Sequence, residues 1–354
     1  MTSAFSTPPR SVCILRLSAI GDVCHVLAVV RTLQRAWPET RFTWVIGRVE
    51  AKLLGHIPDI EFIPVDKGSK LKAWRALRAA MRGRHFDVLM HMQLAFRASV
   101  YSMLIPAKIR LGFDRRRARE LQWLFTTHSI RPAERQHVLD SLFGFAETFH
   151  VHEKLLRWDI PIPDAARDYA RKLIPDGVQT LVISPCSSHT LRNWRAEYYA
   201  QVADYAVETL GLRVVLCGGR SELEQDVGRE IERRMRQRCT NAIGKDTLVE
   251  FLATLQRTTM LLTPDSGPAH MATTVGTPVI GLYAATNPAR TGPYLSRQWC
   301  VDKYDVAARR LLGKPAAELP WTTKIEKPGV MDLITPDDVI KKLHSVQTAL
   351  LRRR

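Results

Sequence analysis

The stretch that predicts the fold is SVCILRLSAIGDVCHVLAVVRTLQRA, residues 11–36. Its first part, Ser11–Leu17, is apolar and rich in β-branched residues, which is typical of a buried strand. The polar turn Ser18–Asp22 follows, and Val23–Ala36 then places apolar residues at helical spacing. Because a strand, a turn and a helix in this order begin a βαβ unit, we expect a parallel sheet with helices on both faces.

The same alternation continues along the chain in two series of similar size. The first series has predicted strands at Arg41–Ile46, Glu61–Val65, Asp87–His91 and Lys108–Gly112, and predicted helices at Val49–Leu54, Lys67–Arg84, Ala95–Leu104 and His137–Phe149. The proline-rich segment Trp158–Asp164 is typical of an interdomain linker. The second series has predicted strands at Thr180–Ser184, Arg213–Cys217, Met260–Thr263 and Val279–Tyr283, and predicted helices at Arg195–Thr209, Ser221–Met235, Thr247–Leu255 and Ala269–Val275. The fold class is therefore α/β, with two doubly wound domains (residues 1–160 and 161–335) facing each other across a cleft. A C-terminal helix, residues 336–354, is expected to pack back toward the N-terminal domain.

Composition and charge narrow the class of protein. The chain has 354 residues, and 52 Lys and Arg against 35 Asp and Glu give a net charge of +17, which predicts an anionic partner. No apolar run approaches about 18 residues, and residues 1–9 lack a basic region and an apolar region, so neither a membrane span nor a secretion signal is expected. The six cysteines lie far apart without a C-x-x-C pair, which predicts reduced packing residues rather than a zinc site or disulfides.

Polar residues directly after the predicted strands are the candidate site residues, because ligands of open α/β sheets bind beyond the carboxyl ends of the strands. The sequence TPDSGPAH, residues 263–270, ends a strand and opens a helix whose free N–H groups attract a phosphate. Alternatively, Asp265 or Ser266 only caps this helix and His270 is a core residue. The loop of residues 184–194 carries hydroxyls and Arg192, which suit a diphosphate or form an ordinary polar loop.

Three other strand-end residues carry weaker signals. Glu222 either holds ribose hydroxyls or favours a helix start. Arg16 and Asp22 flank the first turn, where the Asp22 carboxylate either takes a proton from a hydroxyl nucleophile or caps the helix. The motifs G-x-G-x-x-G, G-x-x-x-x-G-K-[ST], H-E-x-x-H and G-x-S-x-G are missing, so dehydrogenase, NTPase, zinc protease and α/β-hydrolase functions lose their main support.

Taken together, these residues resemble the ADP-heptose:lipopolysaccharide heptosyltransferases, glycosyltransferase family 9, which have the two-Rossmann GT-B fold. The resemblance runs from Arg16 through the C-terminal helix. It rests on three elements in order: LRLSAIGD at residues 15–22, S-S-x-x-x-R-x-W at residues 187–194, and DSGPAH at residues 265–270.

The resemblance implies an inverting, metal-independent glycosyltransferase that moves heptose from ADP-heptose to a lipopolysaccharide inner-core acceptor, either Kdo-lipid A or a heptosylated core. Asp22 matches the catalytic base. The implied donor diphosphate contacts are Ser187, Ser188, Arg192, Ser266 and Gly267. Glu222 matches the ribose carboxylate and Asp265 the donor-sugar residue, with His270 nearby. No resident cofactor and no metal are expected, since the nucleotide sugar is the substrate.

An anionic, lipid-linked saccharide acceptor explains the basic first half. The acceptor-binding candidates, taken from charge and from their counterparts in the family, are Arg16, Arg97, Arg115, Arg116 and Arg117. Lys67–Arg84 contains seven Lys or Arg and no acid. It either lies on the anionic inner leaflet or forms an ordinary helix with a core-facing apolar stripe and a solvated basic face. We expect a monomeric, cytoplasmic enzyme that associates peripherally with the inner membrane.

Two other function classes stay open. One is a GT-B nucleotide-sugar epimerase or hydrolase, which releases product without an acceptor. The other is a basic nucleic-acid-binding protein, although no binding module is recognisable and the basic residues do not interleave with aromatic residues. We therefore expect no nucleic-acid partner. The sequence leaves open the exact donor sugar and the acceptor hydroxyl.

Overall fold

The computed structural model describes residues Thr7–Arg352, except for the side chain of Lys70. Residues 1–6 and 353–354 lie outside this range, so the expectation about a secretion signal falls largely outside the described residues. The chain divides into two compact units between Pro161 and Ile162, one residue from the predicted domain boundary.

The first unit is a six-stranded parallel sheet flanked by helices. Its strands are β1 (Ser11–Leu15), β2 (Arg41–Gly47), β3 (Ile60–Val65), β4 (Phe86–His91), β5 (Ala107–Gly112) and β6 (His128–Ser129). Its helices are α1 (Ile20–Ala36), α2 (Arg48–Leu54), α3 (Lys70–Ala80), α4 (Phe96–Ser102) and α5 (Val138–Glu147), and a 3-10 turn spans Gln122–Phe125. The strand order is β3-β2-β1-β4-β5-β6.

The second unit repeats this plan. Its strands are β7 (Thr180–Ile183), β8 (Arg213–Leu216), β9 (Thr240–Asn241), β10 (Met260–Pro264), β11 (Val279–Tyr283) and β12 (Val301–Asp302), in the order β12-β11-β10-β7-β8-β9. Its helices are α6 (Asp164–Leu173), α7 (Ala196–Glu208), α8 (Glu222–Arg234), α9 (Leu248–Arg257), α10 (Gly267–Thr274), α11 (Pro288–Thr291), α12 (Tyr304–Leu312) and α13 (Pro336–Leu351). The prediction of two doubly wound α/β units is thus confirmed.

The strand order fixes where each unit can bind a ligand. In both sheets the order reverses beside the first strand of the unit, between β1 and β4 and between β7 and β10. Loops after neighbouring strands run to opposite faces at such a switch point, which opens a crevice beyond the carboxyl ends. Leu15 lies opposite His91 in the first sheet, and Ile183 lies opposite Leu262 in the second. Side chains that directly follow these residues therefore meet at the two crevices.

The packing of helices α3 and α13 can be compared with what the sequence predicts for them. The apolar stripe of α3 faces the core, because Ala73, Leu77 and the following Met81 are buried. This is the ordinary-helix interpretation of Lys67–Arg84. On α13, Leu343 and Val346 lie in the core of the second unit, so α13 belongs to that unit. Its return toward the N-terminal domain stays a prediction.

Candidate functional site

The crevice of the first unit is built around an ion pair between Arg16 and Asp22. Arg16 Nη2 contacts Asp22 Oδ2, and the same oxygen accepts a hydrogen bond from the Ala19 N–H at 3.1 Å. The N-cap of α1 is therefore Ala19, and not Asp22 as one alternative predicted; Asp22 lies at the third helical position and accepts from the N-cap N–H through one carboxylate oxygen. Its side chain stays 32% exposed, and no described residue hydrogen-bonds Oδ1. The carboxylate is thus oriented by one oxygen and able to accept a proton at the other.

Arg16 is held in place by the backbone. Its Nε donates to the Ser18 carbonyl at 2.7 Å, and its Nη1 donates to the Met92 carbonyl, just beyond β4, at 2.6 Å. A planar guanidinium fixed at several nitrogens cannot rotate freely. The fixed guanidinium of Arg16 therefore orients the Asp22 carboxylate. The acceptor-binding role of Arg16 stays a prediction.

Buried polar contacts also hold the loop between β1 and α1. Gln93 Oε1 accepts from the Leu17 N–H at 2.6 Å, and Gln93 Nε2 donates to Ser18 Oγ at 3.3 Å. On the opposite side, Gly47 N–H donates to the Leu17 carbonyl at 3.0 Å. A Cβ at Gly47 would lie 2.2 Å from that carbonyl oxygen, so only glycine permits this close approach. The position of Asp22 is therefore fixed from several sides.

The crevice of the second unit contains one cation shared by two carboxylates. Arg192 donates to Glu326 Oε1 from Nε at 2.9 Å and from Nη2 at 2.7 Å, and its Nη1 lies 3.3 Å from Asp265 Oδ2. Glu326 Oε2 faces His189 Nε2 at 3.3 Å. Partial burial raises the pKa of Glu326, but the hydrogen bond and charge of Arg192 outweigh it and hold that pKa below its ordinary value of 4.5.

The loops after β7 and β10 are tied to each other. Ser187 Oγ donates to the Asp265 carbonyl at 3.0 Å, and Thr291 Oγ1 lies 3.4 Å from Asp265 Oδ2. Beneath them, burial and the nearby Asp265 carboxylate raise the pKa of the Tyr283 phenol well above its ordinary range. Asp265 and Ser187 are themselves buried. The predicted donor residues Ser187, Arg192 and Asp265 thus lie together at one crevice.

Neither predicted capping residue caps α10 with its side chain. The N-cap is Ser266, yet its Oγ bonds Thr263 Oγ1 at 2.9 Å, and the Asp265 carboxylate turns to Arg192 and Thr291. Pro268 at the second helical position has no N–H, so Gly267 supplies the first one. His270, one turn further, is buried, as expected for a core or supporting residue.

Around the start of α8, the structure distinguishes two glutamates. Glu222 is exposed, and Glu224 instead folds back, accepting from Gly219 N–H at 2.8 Å and from Ser221 Oγ at 2.6 Å. Arg220 Nη2 reaches the backbone carbonyl of the neighbouring Asp246 at 3.5 Å. Burial raises the pKa of Asp246 to about 7. Neither Glu224 nor Asp246 is among the residues predicted from the sequence.

The remaining predicted residues differ in how they are used. Ser188 and Arg97 are exposed. Arg115 lies 4.5 Å from the centre of the Trp123 ring, and the exposed Arg116 pairs with Glu134 at 2.7 Å. Arg117 is only 20% exposed and binds Asp114, Gln136, Ser141 and the Arg131 carbonyl. These contacts give Arg117 a structural role, and its acceptor-binding role stays a prediction.

Sequence patterns carry a signal for some of the missed residues. Gln93 follows β4 at the switch point, and a polar residue just after a strand end is itself a signal of a site residue. Glu326 sits in irregular chain between α12 and α13, 134 residues from Arg192, where no periodicity points to it. Lys67 Nζ pairs with the buried Glu50 at 2.9 Å and lies 3.5 Å from the Leu17 carbonyl. In the sequence, nothing distinguishes Glu50 from any other acidic residue of a helix.

All six cysteines are free thiols, five of them buried, and burial raises the pKa of Cys24 to about 12, which fits packing residues. Within Thr7–Arg352, no three His, Cys, Asp or Glu side chains gather into a group able to hold a metal ion. In the same range, every helix is too short or too polar to span a bilayer.

Comparisons with known proteins identify a family and a fold. Residues 74–321 match the family model described as glycosyltransferase family 9 (heptosyltransferase). The chain is 41% identical to the lipopolysaccharide core heptosyltransferase OpsX of Haemophilus influenzae, over 96% of this chain and 97% of that protein. It resembles the crystal structure of a family 9 glycosyl transferase from Veillonella parvula, at 22% identity and a TM-score of 0.78 over 97% and 98% of the two chains. It also resembles the E. coli heptosyltransferase WaaC with ADP, at 20% identity and a TM-score of 0.71 over 95% and 99%. The two structures confirm the GT-B fold.

Proposed function

The chain belongs to glycosyltransferase family 9, the heptosyltransferase family, and from this premise we propose that it transfers heptose from ADP-heptose to a lipopolysaccharide inner-core acceptor, either Kdo-lipid A or a heptosylated core. It is a glycosyltransferase. The observation that carries the proposal is the 41% identity to a lipopolysaccharide core heptosyltransferase over nearly the whole of both chains. The N-terminal unit is the acceptor-binding domain in this proposal, and the C-terminal unit binds the nucleotide sugar.

On the donor side, Arg192 is the group that meets the diphosphate. Its present partners are the carboxylates of Glu326 and Asp265, and a guanidinium that binds carboxylate oxygens in a fork binds phosphate oxygens in the same way. Arg192 exchanges Glu326 for the diphosphate when the donor binds. The Gly267 N–H adds the partial positive charge of the α10 start. Ser187, Ser188 and Ser266 flank the phosphates, and Glu222 takes the ribose.

In the transfer step, Asp22 is the base. The acceptor hydroxyl gives its proton to Asp22 Oδ1 as its oxygen forms a bond to the anomeric carbon of heptose. The bond between that carbon and the β-phosphate oxygen breaks, and ADP leaves with the electron pair from the opposite face, which inverts the anomeric centre. Arg192 and the Gly267 N–H stabilise the charge that develops on ADP. Arg16 keeps Oδ2 occupied, so that Oδ1 is presented to the acceptor.

The reaction is tested with purified enzyme, ADP-heptose, and Kdo-lipid A or a heptosylated core as acceptor. We expect ADP release that depends on the acceptor, a product heavier by one heptosyl group, and full activity in EDTA. ADP or free sugar released without acceptor would favour the epimerase or hydrolase alternative. No turnover, together with salt-sensitive RNA binding, would favour the nucleic-acid alternative.

A further inference from the structure

Four large apolar side chains lie exposed at one place on the first unit. Phe96 begins α4, and Leu121, Trp123 and Leu124 belong to the 3-10 turn or directly precede it; each leaves between 40% and 58% of its surface exposed. The two segments touch, because the rings of Phe96 and Phe125 pack edge to face with centres 6.1 Å apart. We call these four residues the apolar turn patch. A contiguous exposed apolar patch of this kind is typical of a surface that binds a partner or a membrane.

The rim of the apolar turn patch is cationic. Residues 113–125, FDRRRARELQWLF, contain four arginines against Asp114 and Glu120. Asp114 is buried and paired with Arg117, and Glu120 accepts a hydrogen bond from the Phe96 N–H at 2.5 Å. Both carboxylates are therefore bound within this segment or to the start of α4. Arg115, in contrast, is exposed and lies over the Trp123 ring. Arginine next to tryptophan, phenylalanine and leucine matches the boundary between an apolar phase and anionic groups.

The patch is anchored to the crevice that holds Asp22. Gln122, in the middle of the exposed turn, is itself fully buried. Its Nε2 donates to the His91 carbonyl at 2.9 Å and to the Gln93 carbonyl at 3.0 Å, and its Oε1 accepts the Phe113 N–H at 3.2 Å. Gln93 in turn holds Leu17 and Ser18, which lie five and four residues before Asp22. One chain of buried hydrogen bonds therefore joins the exposed turn to the loop of the proposed base.

We propose that the apolar turn patch docks on the surface of an anionic lipid bilayer. Trp123, Leu124 and Phe96 enter the interfacial region, and the exposed Arg115 beside Trp123 meets lipid phosphates. The inference rests on the proposed function, in which the acceptor is lipid-linked, and gives that acceptor a fixed position relative to Asp22. Docking through a second copy of this chain is disfavoured, because an isologous contact brings the same arginines against each other.

This surface is separate from Lys67–Arg84, for which contact with the anionic leaflet is one of two interpretations from sequence. The apolar stripe of α3 lies in the core, and only Leu71 of that helix is an exposed large apolar residue. An isolated leucine on a basic helix adds little interfacial affinity. Leu71 is therefore a matched control for Leu124, since the two side chains are identical and similarly exposed.

The experiment measures co-sedimentation of the full chain with vesicles. Phosphatidylglycerol-containing vesicles are compared with pure phosphatidylcholine vesicles, for the wild type, the double variant Trp123→Ser/Leu124→Ser, and Leu71→Ser. We expect the wild type to bind only the anionic vesicles, the double variant to bind them at least about tenfold more weakly, and Leu71→Ser to bind as the wild type does. Added salt should weaken wild-type binding, since ions screen electrostatic attraction and the screening length is only about 8 Å at physiological ionic strength.

Three results would overturn the docking proposal. The first is a loss of vesicle binding in Leu71→Ser as large as in the double variant. The second is vesicle binding by the double variant as strong as that of the wild type. The third is a wild-type protein that is dimeric while the double variant is monomeric. Transfer to a water-soluble, deacylated acceptor is measured in parallel. If the wild type transfers heptose but does not bind the anionic vesicles, the docking proposal fails and the proposed function stands. If it binds vesicles through the patch but transfers no heptose, the proposed function fails instead.

Discussion

Each unit places an arginine and an aspartate at the switch point of its sheet, yet the two pairs are built in opposite ways. In the first unit, Arg16 is tied to backbone carbonyls and Asp22 keeps one oxygen open. In the second unit, Asp265 is buried and Arg192 is shared between side-chain carboxylates. The same fold position thus presents a carboxylate in one unit and a cation in the other.

The difference follows from the partners that each arginine has. The backbone carbonyls that bind Arg16 are fixed in the fold, so we expect that arginine to orient its neighbour. The Glu326 and Asp265 side chains can give up Arg192 to a stronger anion such as a diphosphate. The contrast therefore predicts a base in the first unit and an anion-binding cation in the second, and the substitutions below separate the two roles.

The largest effect is expected from Asp22→Asn. The amide keeps the shape of the carboxylate but accepts no proton, so kcat should fall about 10²- to 10⁴-fold with the thermal midpoint nearly unchanged. Steady-state kinetics with ADP-heptose and the acceptor measure this. Cys217→Ser, directly after β8 and at a buried position, should stay largely active. Wild-type kcat in Asp22→Asn would remove the base from the first unit.

Next in size is Arg192→Ala, which removes the shared cation. We expect kcat/KM for the donor to fall about 10²- to 10³-fold, as for loss of an oxyanion-hole donor. Arg192→Lys keeps the charge but not the fork and should recover part of the loss. An Arg192→Ala enzyme with unchanged donor kinetics would contradict the second half of the comparison.

Arg16→Ala should have a smaller effect, because in the proposed mechanism Arg16 orients Asp22 and takes no proton. Misplacement of the carboxylate is expected to lower kcat about tenfold without changing the donor KM. Arg31→Ala is the matched control: Arg31 also donates to backbone carbonyls, at Trp158 and Asp159, but lies in the C-terminal half of α1, nine residues after Asp22. A loss of kcat in Arg31→Ala as large as in Arg16→Ala would mean that general destabilisation explains both.

The smallest effect concerns Glu326→Gln and depends on pH. Because the folded pKa of Glu326 lies below 4.5, its stabilising contact with Arg192 is present above that pH and is lost as pH falls through the lower folded value. Glu326→Gln should lower the thermal midpoint by about 2–4 °C at pH 7, with the difference shrinking below pH 4.5. Since Glu326 competes with the diphosphate, the donor KM should fall about two- to fivefold.

Asp332→Asn provides the control for that measurement. Asp332 pairs with Arg195, a half-exposed arginine in the same unit. Its loss should leave the donor KM unchanged. A higher donor KM in Glu326→Gln would indicate that Glu326 prepares Arg192 for the donor rather than competing with it.

The sequence predicts the parts of the molecule that depend on local patterns. Apolar runs ended by glycine, proline or aspartate locate the first loop and the start of α10, and strand ends in a doubly wound sheet must meet, so Arg192 and Asp265 are expected together. Periodicity does not detect the two-residue edge strands β6, β9 and β12. The choice between Glu222 and Glu224 depends on which side chain folds back at a helix start. Glu326 reaches Arg192 only through tertiary packing.

The most direct test crosses the two pairs in one experiment. Calorimetry gives the Kd of ADP-heptose, and rapid quench gives the single-turnover transfer rate, each for Asp22→Asn and Arg192→Ala. We predict that Asp22→Asn binds the donor within about twofold of the wild type while its single-turnover rate falls about 10²-fold or more, and that Arg192→Ala loses donor affinity. Transfer at the wild-type rate by Asp22→Asn, or wild-type donor affinity in Arg192→Ala, would contradict the division of roles between the two units.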